Sequence, residues 1–282
     1  MGFLRVGYGP EINVEKIFQG SLVFLEPLEP TKKLVTWAEK CLLNEFGESL
    51  SLANGNDETL NDFIRRAQAT KTTFTNHEYT KQLLEEILLI RYSNYLGHKL
   101  YYDVPRLRII PNSKLLSSGI SYNYLPHRDT WYGARQDQIN HWLSVRNVSD
   151  RATFFISPSY FGRKVENTSE NFDLDTWDKV SRPAATLSVR TEIRPHPKPL
   201  TDVPEDARVG FDLKTGHEVC FSGHHLHGSN ENISDEVRVS IDYRISIPSL
   251  GLIPPANIDN KANGKYLDYM FEHPMFADKY SQ

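Results

Sequence analysis

The sequence predicts an α+β chain, with a layer of helices first and then strands folded as a double-sheet jelly roll. Two observations predict it. Between residues about 31 and 97 apolar side chains recur at three- and four-residue spacing, the period of a helix with one buried face. From Leu100 the period changes to two, and about eight short runs separated by turn residues continue to residue 247. Helices followed by many short strands favour segregated layers, and a double-sheet roll is one way to protect the strand edges.

Residues 1–30 read as irregular to extended, with Leu22-Val23-Phe24-Leu25 bracketed by Gly20 and Pro27. A helix is expected from Thr31, whose hydroxyl can cap it, with Leu34, Trp37, Ala38, Cys41 and Leu42 on one stripe. Gly55 and Asn56 break the chain. A shorter helix from Asp57 or Thr59 then carries Leu60, Phe63 and Ile64. A longer one is expected from about His77, with Leu83, Leu84, Ile87, Leu88 and Tyr92 in line, ending near Gly97. Strands are expected at 107–110, 120–124, 139–145, 152–156, 187–193, 208–211, 218–221, near Leu226 and at 237–247. Residues 160–185 lose the pattern, and a stretch of this length inside a domain is expected as a lid or binding loop. The tail, 248–282, is rich in Pro and Asn, and no internal repeat interrupts a reading of 1–282 as one domain.

Composition narrows the function classes. A net charge of −4 argues against a nucleic-acid binder, which usually needs a basic face. No apolar run has the length of a membrane span, and the first residues do not read as a signal region, so no membrane partner is expected. Cys41 and Cys220 lie far apart without a CxxC partner, which fits buried thiols in a reducing cytoplasm. The oligomeric state has no signature in the sequence.

Two stretches carry chemistry. Leu125-Pro126-His127-Arg128-Asp129-Thr130-Trp131 offers a His and an Asp two residues apart, which on extended backbone point to the same side. About a hundred residues later comes Phe221-Ser222-Gly223-His224-His225-Leu226-His227-Gly228-Ser229-Asn230, followed by Val237-Arg238-Val239-Ser240. Two imidazoles and one carboxylate on one face of a metal leave three positions open, the facial triad of non-haem Fe(II) oxygenases. The second imidazole has three candidates. On a strand His225 and His227 would share a face and His224 would point away. The planar guanidinium of Arg238, or of Arg244 at the same strand parity, could take a carboxylate through two parallel hydrogen bonds. Gln138, Asn140 and Trp142 alternate against Ile139, His141 and Leu143, so an amide-bearing face meets either a ligand or solvent. Tyr122, Tyr124, Trp131 and Arg135 flank the dyad and are candidate substrate-pocket residues, as is His225.

The order His127-Arg128-Asp129, His227-Gly228-Ser229, Arg238-Val239-Ser240 resembles the Fe(II)/2-oxoglutarate-dependent dioxygenases, most closely the phytanoyl-CoA dioxygenase-like branch that includes ectoine hydroxylase. The resemblance spans roughly residues 100–247. It implies a double-stranded β-helix, Fe(II) on His127, Asp129 and His227, and 2-oxoglutarate held by Arg238 with help from Ser229. Asn140 is a further candidate contact to the co-substrate. It also implies oxidative decarboxylation of 2-oxoglutarate with O2, coupled to hydroxylation of a small-molecule substrate. Related halogenases carry a small residue in place of the carboxylate, so Asp129 argues for hydroxylation or another oxidation. The rivals are a desaturase, epimerase or ring-forming oxidase of the same family, a zinc hydrolase or isomerase on the same ligands, and a cupin-type binder without turnover.

Overall fold

The computed structural model describes residues 6–7, 11–48, 50, 57–111, 125–150, 152–181, 194–230, 232, 234, 236–251 and 259–277. The expected strands at 120–124 and 187–193 therefore lie outside the described residues, as do Tyr122 and Tyr124. The fold is a mixture of helices and antiparallel sheet.

The helices are α1 (Val14–Phe18), α2 (Glu29–Phe46), α3 (Asp57–Asn76) and α4 (Glu78–Arg91). Helix α2 begins two residues before the Thr31 expected to cap it. Pro30 in its first turn supplies a φ already suited to a helix and lacks an N–H that would need a partner. Helix α3 runs 20 residues, longer than expected, and His77 is not within a helix but caps α4 through a bond from the Tyr79 N–H to its ring (3.1 Å). Helix α4 stops at Arg91, before Gly97, and a single tight turn, Ser93–Tyr95, carries the chain on.

The strands are β1 (Val6–Gly7), β2 (Leu22–Leu25), β3 (Tyr101–Tyr102), β4 (Arg106–Ile110), β5 (Ile139–Ser144), β6 (Phe154–Ile156), β7 (Glu218–Ser222), β8 (His227–Ser229), β9 (Arg238–Ser246) and β10 (Phe271–Glu272). The larger sheet has the order β1-β2-β7-β5-β9-β3-β10, with β4 also paired to β9. All of its pairings are antiparallel except β1 with β2. The smaller sheet pairs β6 with β8, and isolated bridges add His127 to His227 and Val209 to Ile156. The expected strand at 208–211 is thus reduced to one bridge.

Period-two alternation gives the larger sheet two different faces. Leu107, Ile109, Ile139, Leu143, Val239, Ile241 and Tyr243 bury against α2, α3 and α4 in the main core. The residues between them, Arg106 and Arg108 on β4, Gln138, Asn140 and Trp142 along β5, and Arg238, Ser240, Asp242 and Arg244 on β9, face a cavity instead. Cys41 and Cys220 are both buried thiols.

Residues 160–181 carry short turns at Ser169–Asn171, Leu174–Thr176 and Trp177–Ser181. Phe172, Leu174 and Trp177 pack with Tyr266 into a cluster of their own, which forms one wall of the same cavity. No helix among the described residues is long and apolar enough to cross a membrane.

Candidate metal centre

His127 and His227 meet across the bridge between their backbones, with His127 N–H donating to His227 O (2.8 Å) and His227 N–H to His127 O (2.9 Å). Arg128 is extended (φ −114°, ψ 144°), and Asp129 opens a 3₁₀ turn, Asp129–Tyr132, closed by Gly133 at φ +79°. The dyad expected on a strand is therefore a single bridge running into a turn. The one extended residue between them is enough to bring His127 and Asp129 to the same side.

The donor atoms converge. Asp129 Oδ1 lies 3.5 Å from His127 Nε2 and 3.7 Å from His227 Nε2, and the three groups fit within a 4.8 Å span. Each ring is oriented from behind: His127 Nδ1 lies 2.8 Å from Leu125 O and His227 Nδ1 2.9 Å from His225 O. A carbonyl oxygen only accepts, so both Nδ1 atoms carry the proton and both Nε2 lone pairs face Asp129. Burial and the neighbouring His127 push the His227 imidazole down to about 3, so it is neutral and able to bind a metal at physiological pH. Burial alone would raise Asp129, but the charge of Arg244 holds it well below the usual carboxylate range. Its second oxygen, Oδ2, accepts from Gln138 Nε2 (2.9 Å) and faces Arg244 Nε (3.5 Å). Oδ1 is left toward the imidazoles. Two imidazole nitrogens and one carboxylate oxygen, each oriented by a second partner, are a donor set that fits a divalent first-row metal.

A second group with metal-ligand chemistry, His141, Glu218 and Cys220, differs in kind. His141 Nδ1 is 2.6 Å from Glu218 Oε1 and its Nε2 is 2.6 Å from the Tyr92 hydroxyl, so both ring nitrogens are already engaged. This is a buried hydrogen-bond network.

The triad sits on a cavity of about 260 Å³. Arg238, Arg244, Asn140 and Ser229 all line it. Arg244 is taken up by carboxylates, Asp103 Oδ2 at 3.1 Å, Asp129 Oδ2 at 3.5 Å and Asp242 Oδ2 at 3.8 Å. Among the described residues Arg238 donates from Nη1 to Ala152 O (2.6 Å), and its Nε is buried with no hydrogen-bond partner among them. The Ser240 hydroxyl, two residues along the same face, is likewise buried without a partner among the described residues. Burial and Arg108 lower the Arg238 guanidinium to about 10, which leaves it charged at neutral pH. An orphaned buried donor costs free energy unless a ligand meets it, and two on one cavity-facing strand suit a carboxylate. Asn140 Oδ1 accepts from Gln138 Nε2 (2.8 Å), so the alternating face of β5 looks onto the cavity and not onto solvent.

Other sequence candidates fall elsewhere. Trp131 is fully buried in a separate apolar cluster and donates from Nε1 to Asp259 Oδ1 (2.9 Å). In a 3₁₀ turn residues i and i+3 share a face, so Tyr132, and not Trp131, joins Asp129 on the cavity wall, 5.2 Å from the His127 ring. Arg135 is exposed and pairs with Asp137 (2.7 Å) outside the cavity. His225 lies in a turn and not on a strand, with Nε2 3.2 Å from Gly20 O and its ring against Phe161, away from the triad. His224 sits in the same turn. Gln138 and Tyr132 were not among the sequence candidates. The alternating amide face of β5 was a signal for Gln138, whereas nothing local distinguished Tyr132.

No family model matches the chain, and no curated protein matches it. Solved structures do resemble its fold. The non-haem monooxygenase ThoJ in its apo form is 15% identical over 86% of this chain and 80% of its own, with a TM-score of 0.44. The non-haem α-ketoglutarate-dependent epimerase SnoN from nogalamycin biosynthesis is 17% identical over 95% and 98%, with a TM-score of 0.42. EvdO2 from Micromonospora carbonacea var. aurantiaca is 13% identical over 87% and 94%, with a TM-score of 0.49. SnoN has also been solved with Fe3+ and α-ketoglutarate, and EvdO2 with 2-oxoglutarate. At these identities and TM-scores the likeness carries nothing about this chain's reaction, which has to be read from its own side chains.

Proposed function

We propose that this chain is a non-haem Fe(II), 2-oxoglutarate-dependent oxygenase acting on a small-molecule substrate, with hydroxylation as its outcome. One observation carries the reading: three candidate metal donors, each oriented by a second hydrogen bond, share a cavity with a buried arginine whose Nε lacks a partner among the described residues. In this reading His127, Asp129 and His227 hold the iron, and Arg238 with Ser240 and Ser229 receives the distal carboxylate of 2-oxoglutarate. Asn140, whose carbonyl is occupied by Gln138, offers its amide NH2 to the same molecule. Iron with 2-oxoglutarate and O2 would supply the oxidising power for attack on an unactivated C–H bond. The protein's part is to orient the donors, bind the keto acid in one direction and keep water out. The two sheets, one bearing Arg238 and the other His227, fit the halves of a double-stranded β-helix.

A binding protein without turnover could use the same triad, but it has no need of the buried Arg238. The test is spectroscopic. Protein loaded anaerobically with Fe(II) and 2-oxoglutarate should show the weak visible charge-transfer band of a keto acid bound to Fe(II). A flat spectrum with iron demonstrably bound would refute the co-substrate assignment. Succinate release across a metabolite library then identifies turnover, and product analysis separates hydroxylation from desaturation, epimerisation or ring formation.

A further inference from the structure

We infer that the cavity takes a substrate bearing an anionic group, a carboxylate or a phosphate, on an apolar body. This deepens the proposed function, and it rests on that reading for the assignment of Arg238 to the co-substrate.

Among the described residues the cavity is lined by five arginines, Arg106, Arg108, Arg194, Arg238 and Arg244. Facing them are the carboxylates of Asp129 and Asp242 on the wall and Asp103 beneath it. These carboxylates are shared. Asp242 takes Arg108 through two bonds (2.8 and 3.0 Å) and also Arg244, while Asp103 takes both Arg106 (3.3 Å) and Arg244 (3.1 Å). Among the described residues the five guanidiniums outnumber these three carboxylates, and a divalent metal and a 2-oxoglutarate dianion would offset one another. The chain as a whole has a net charge of −4, so its composition does not account for arginines gathered in one cavity. Lys71, pushed down to about 7 by desolvation and by the charges of Arg108 and Arg194, feels the same field. A cavity with low-dielectric walls and a predominance of one sign of charge favours a ligand of the other sign.

Part of the lining is apolar: Tyr132, Phe172 and Trp177 stand edge-on or tilted to one another at 5.1–5.8 Å. Such a box could in principle hold a cationic ligand. Here a guanidinium already lies over two of the wall's rings, Arg194 over Trp177 (5.4 Å) and Arg244 over Tyr266 (5.9 Å). A second cation would meet like charge, whereas an anion on an apolar body would satisfy wall and arginines together.

The test is calorimetric binding to the anaerobic protein saturated with Fe(II) and 2-oxoglutarate. Four probes share one apolar body: 2-naphthoate, 2-naphthyl phosphate, 2-naphthamide and 2-naphthylmethylammonium. The inference expects one or both anions to bind at least roughly ten-fold more tightly than the amide, and the ammonium to bind no better than the amide. Which anion leads tells carboxylate from phosphate. Arg106→Gln and Arg194→Gln should each reduce the anion-over-amide preference, with iron affinity in the same samples as the control for folding. Equal affinities, or a preference for the ammonium, would overturn the inference. So would an anion preference removed by Arg238→Gln alone, because the probe would then be reading the co-substrate's place. Binding of 2-oxoglutarate is measured in the same samples. If it is absent while the anion preference persists, the oxygenase reading fails and the anionic substrate class stands.

Discussion

Arg238 and Arg244 share one face of β9 and one cavity, yet their surroundings give them different work. Arg244 is held among Asp103, Asp129 and Asp242, whereas Arg238 has a backbone carbonyl and an unmet Nε. Replacing Arg238 with Gln removes a charge-assisted contact worth on the order of 2–5 kcal/mol if the partner carboxylate stays buried. Affinity for 2-oxoglutarate, measured calorimetrically at saturating Fe(II), should fall roughly thirty-fold or more while iron affinity barely changes. Arg244→Gln should do much less to 2-oxoglutarate. Gln138→Leu makes the complementary case. It removes the donor to Asp129 Oδ2, and loss of such a supporting bond typically costs about 10–100-fold in metal affinity. Fe(II) titration should show that loss, with 2-oxoglutarate affinity at saturating iron nearly intact. Unaltered iron binding would remove Gln138 from any role in orienting the carboxylate.

At the scale of elements, strand β5 divides the molecule. Its Gln138–Asn140–Trp142 face looks into the cavity, and His141 on the reverse ties the sheet to the end of α4. There Glu218 of β7 contacts His141 (2.6 Å), Arg91 (3.6 Å) and the Tyr243 hydroxyl. Burial alone would raise the Glu218 carboxyl, but His141 and Arg91 hold it at about 2, below its ordinary 4.5. A carboxyl whose folded pKa lies below its unfolded one adds stability that is fully present above about pH 4.5 and fades as pH falls toward 2. Glu218→Gln leaves Arg91 without its carboxylate in the core, so the variant should lose roughly 3–5 kcal/mol at neutral pH. Its stability should also fall less steeply than the wild type's as pH drops below 4.5. Urea unfolding at pH 7 and pH 4 measures both effects, and equal acid sensitivity in the two proteins would contradict the assignment.

At the scale of the whole molecule, the C-terminal segment is fastened to the back of the metal centre through Asp259. Its carboxylate pairs with Arg128, the residue between the two proposed ligands, and accepts from Trp131 Nε1 and the Val165 N–H. Arg128 also donates to Tyr160 O and Arg163 O, and Asn167 Nδ2 donates to Asp259 O (2.7 Å). Segments about 30 and 130 residues from the motif thus meet behind it. Asp259→Ala would leave the Arg128 guanidinium buried without its counter-charge, at a cost of roughly 3–5 kcal/mol. Asp259→Asn, which keeps the shape and one acceptor, should cost less. Urea unfolding of the two variants gives the comparison, and equal losses would mean that charge is not what Asp259 contributes.

Short-range features were the ones legible in the sequence. The apolar stripes of α2 and α4, the alternation on β5 and β9, and the spacing of His127-Arg128-Asp129 all describe how a residue points relative to its near neighbours, which backbone geometry sets within a few positions. The sequence by itself therefore determined the helical layer, four of the eight strands of the larger sheet (β4, β5, β7 and β9), and the short list from which the candidate metal donors come. Strand parity alone left open which His faces the dyad, and only the motif resemblance pointed to His227. His225 lies in a turn and His227 on a bridge, a difference made by pairing with residue 127, a hundred positions away. Nor could it tell Trp131 from Tyr132, because that depends on a turn in place of the expected strand. Parity likewise made Arg238 and Arg244 equivalent, and only the resemblance at Arg238-Val239-Ser240 favoured Arg238 for the co-substrate. Tertiary packing decided these points, for a physical reason. A buried charge or imidazole takes its role from the partner that compensates it, and here those partners, from Asp103 to Asp259, come from distant parts of the chain.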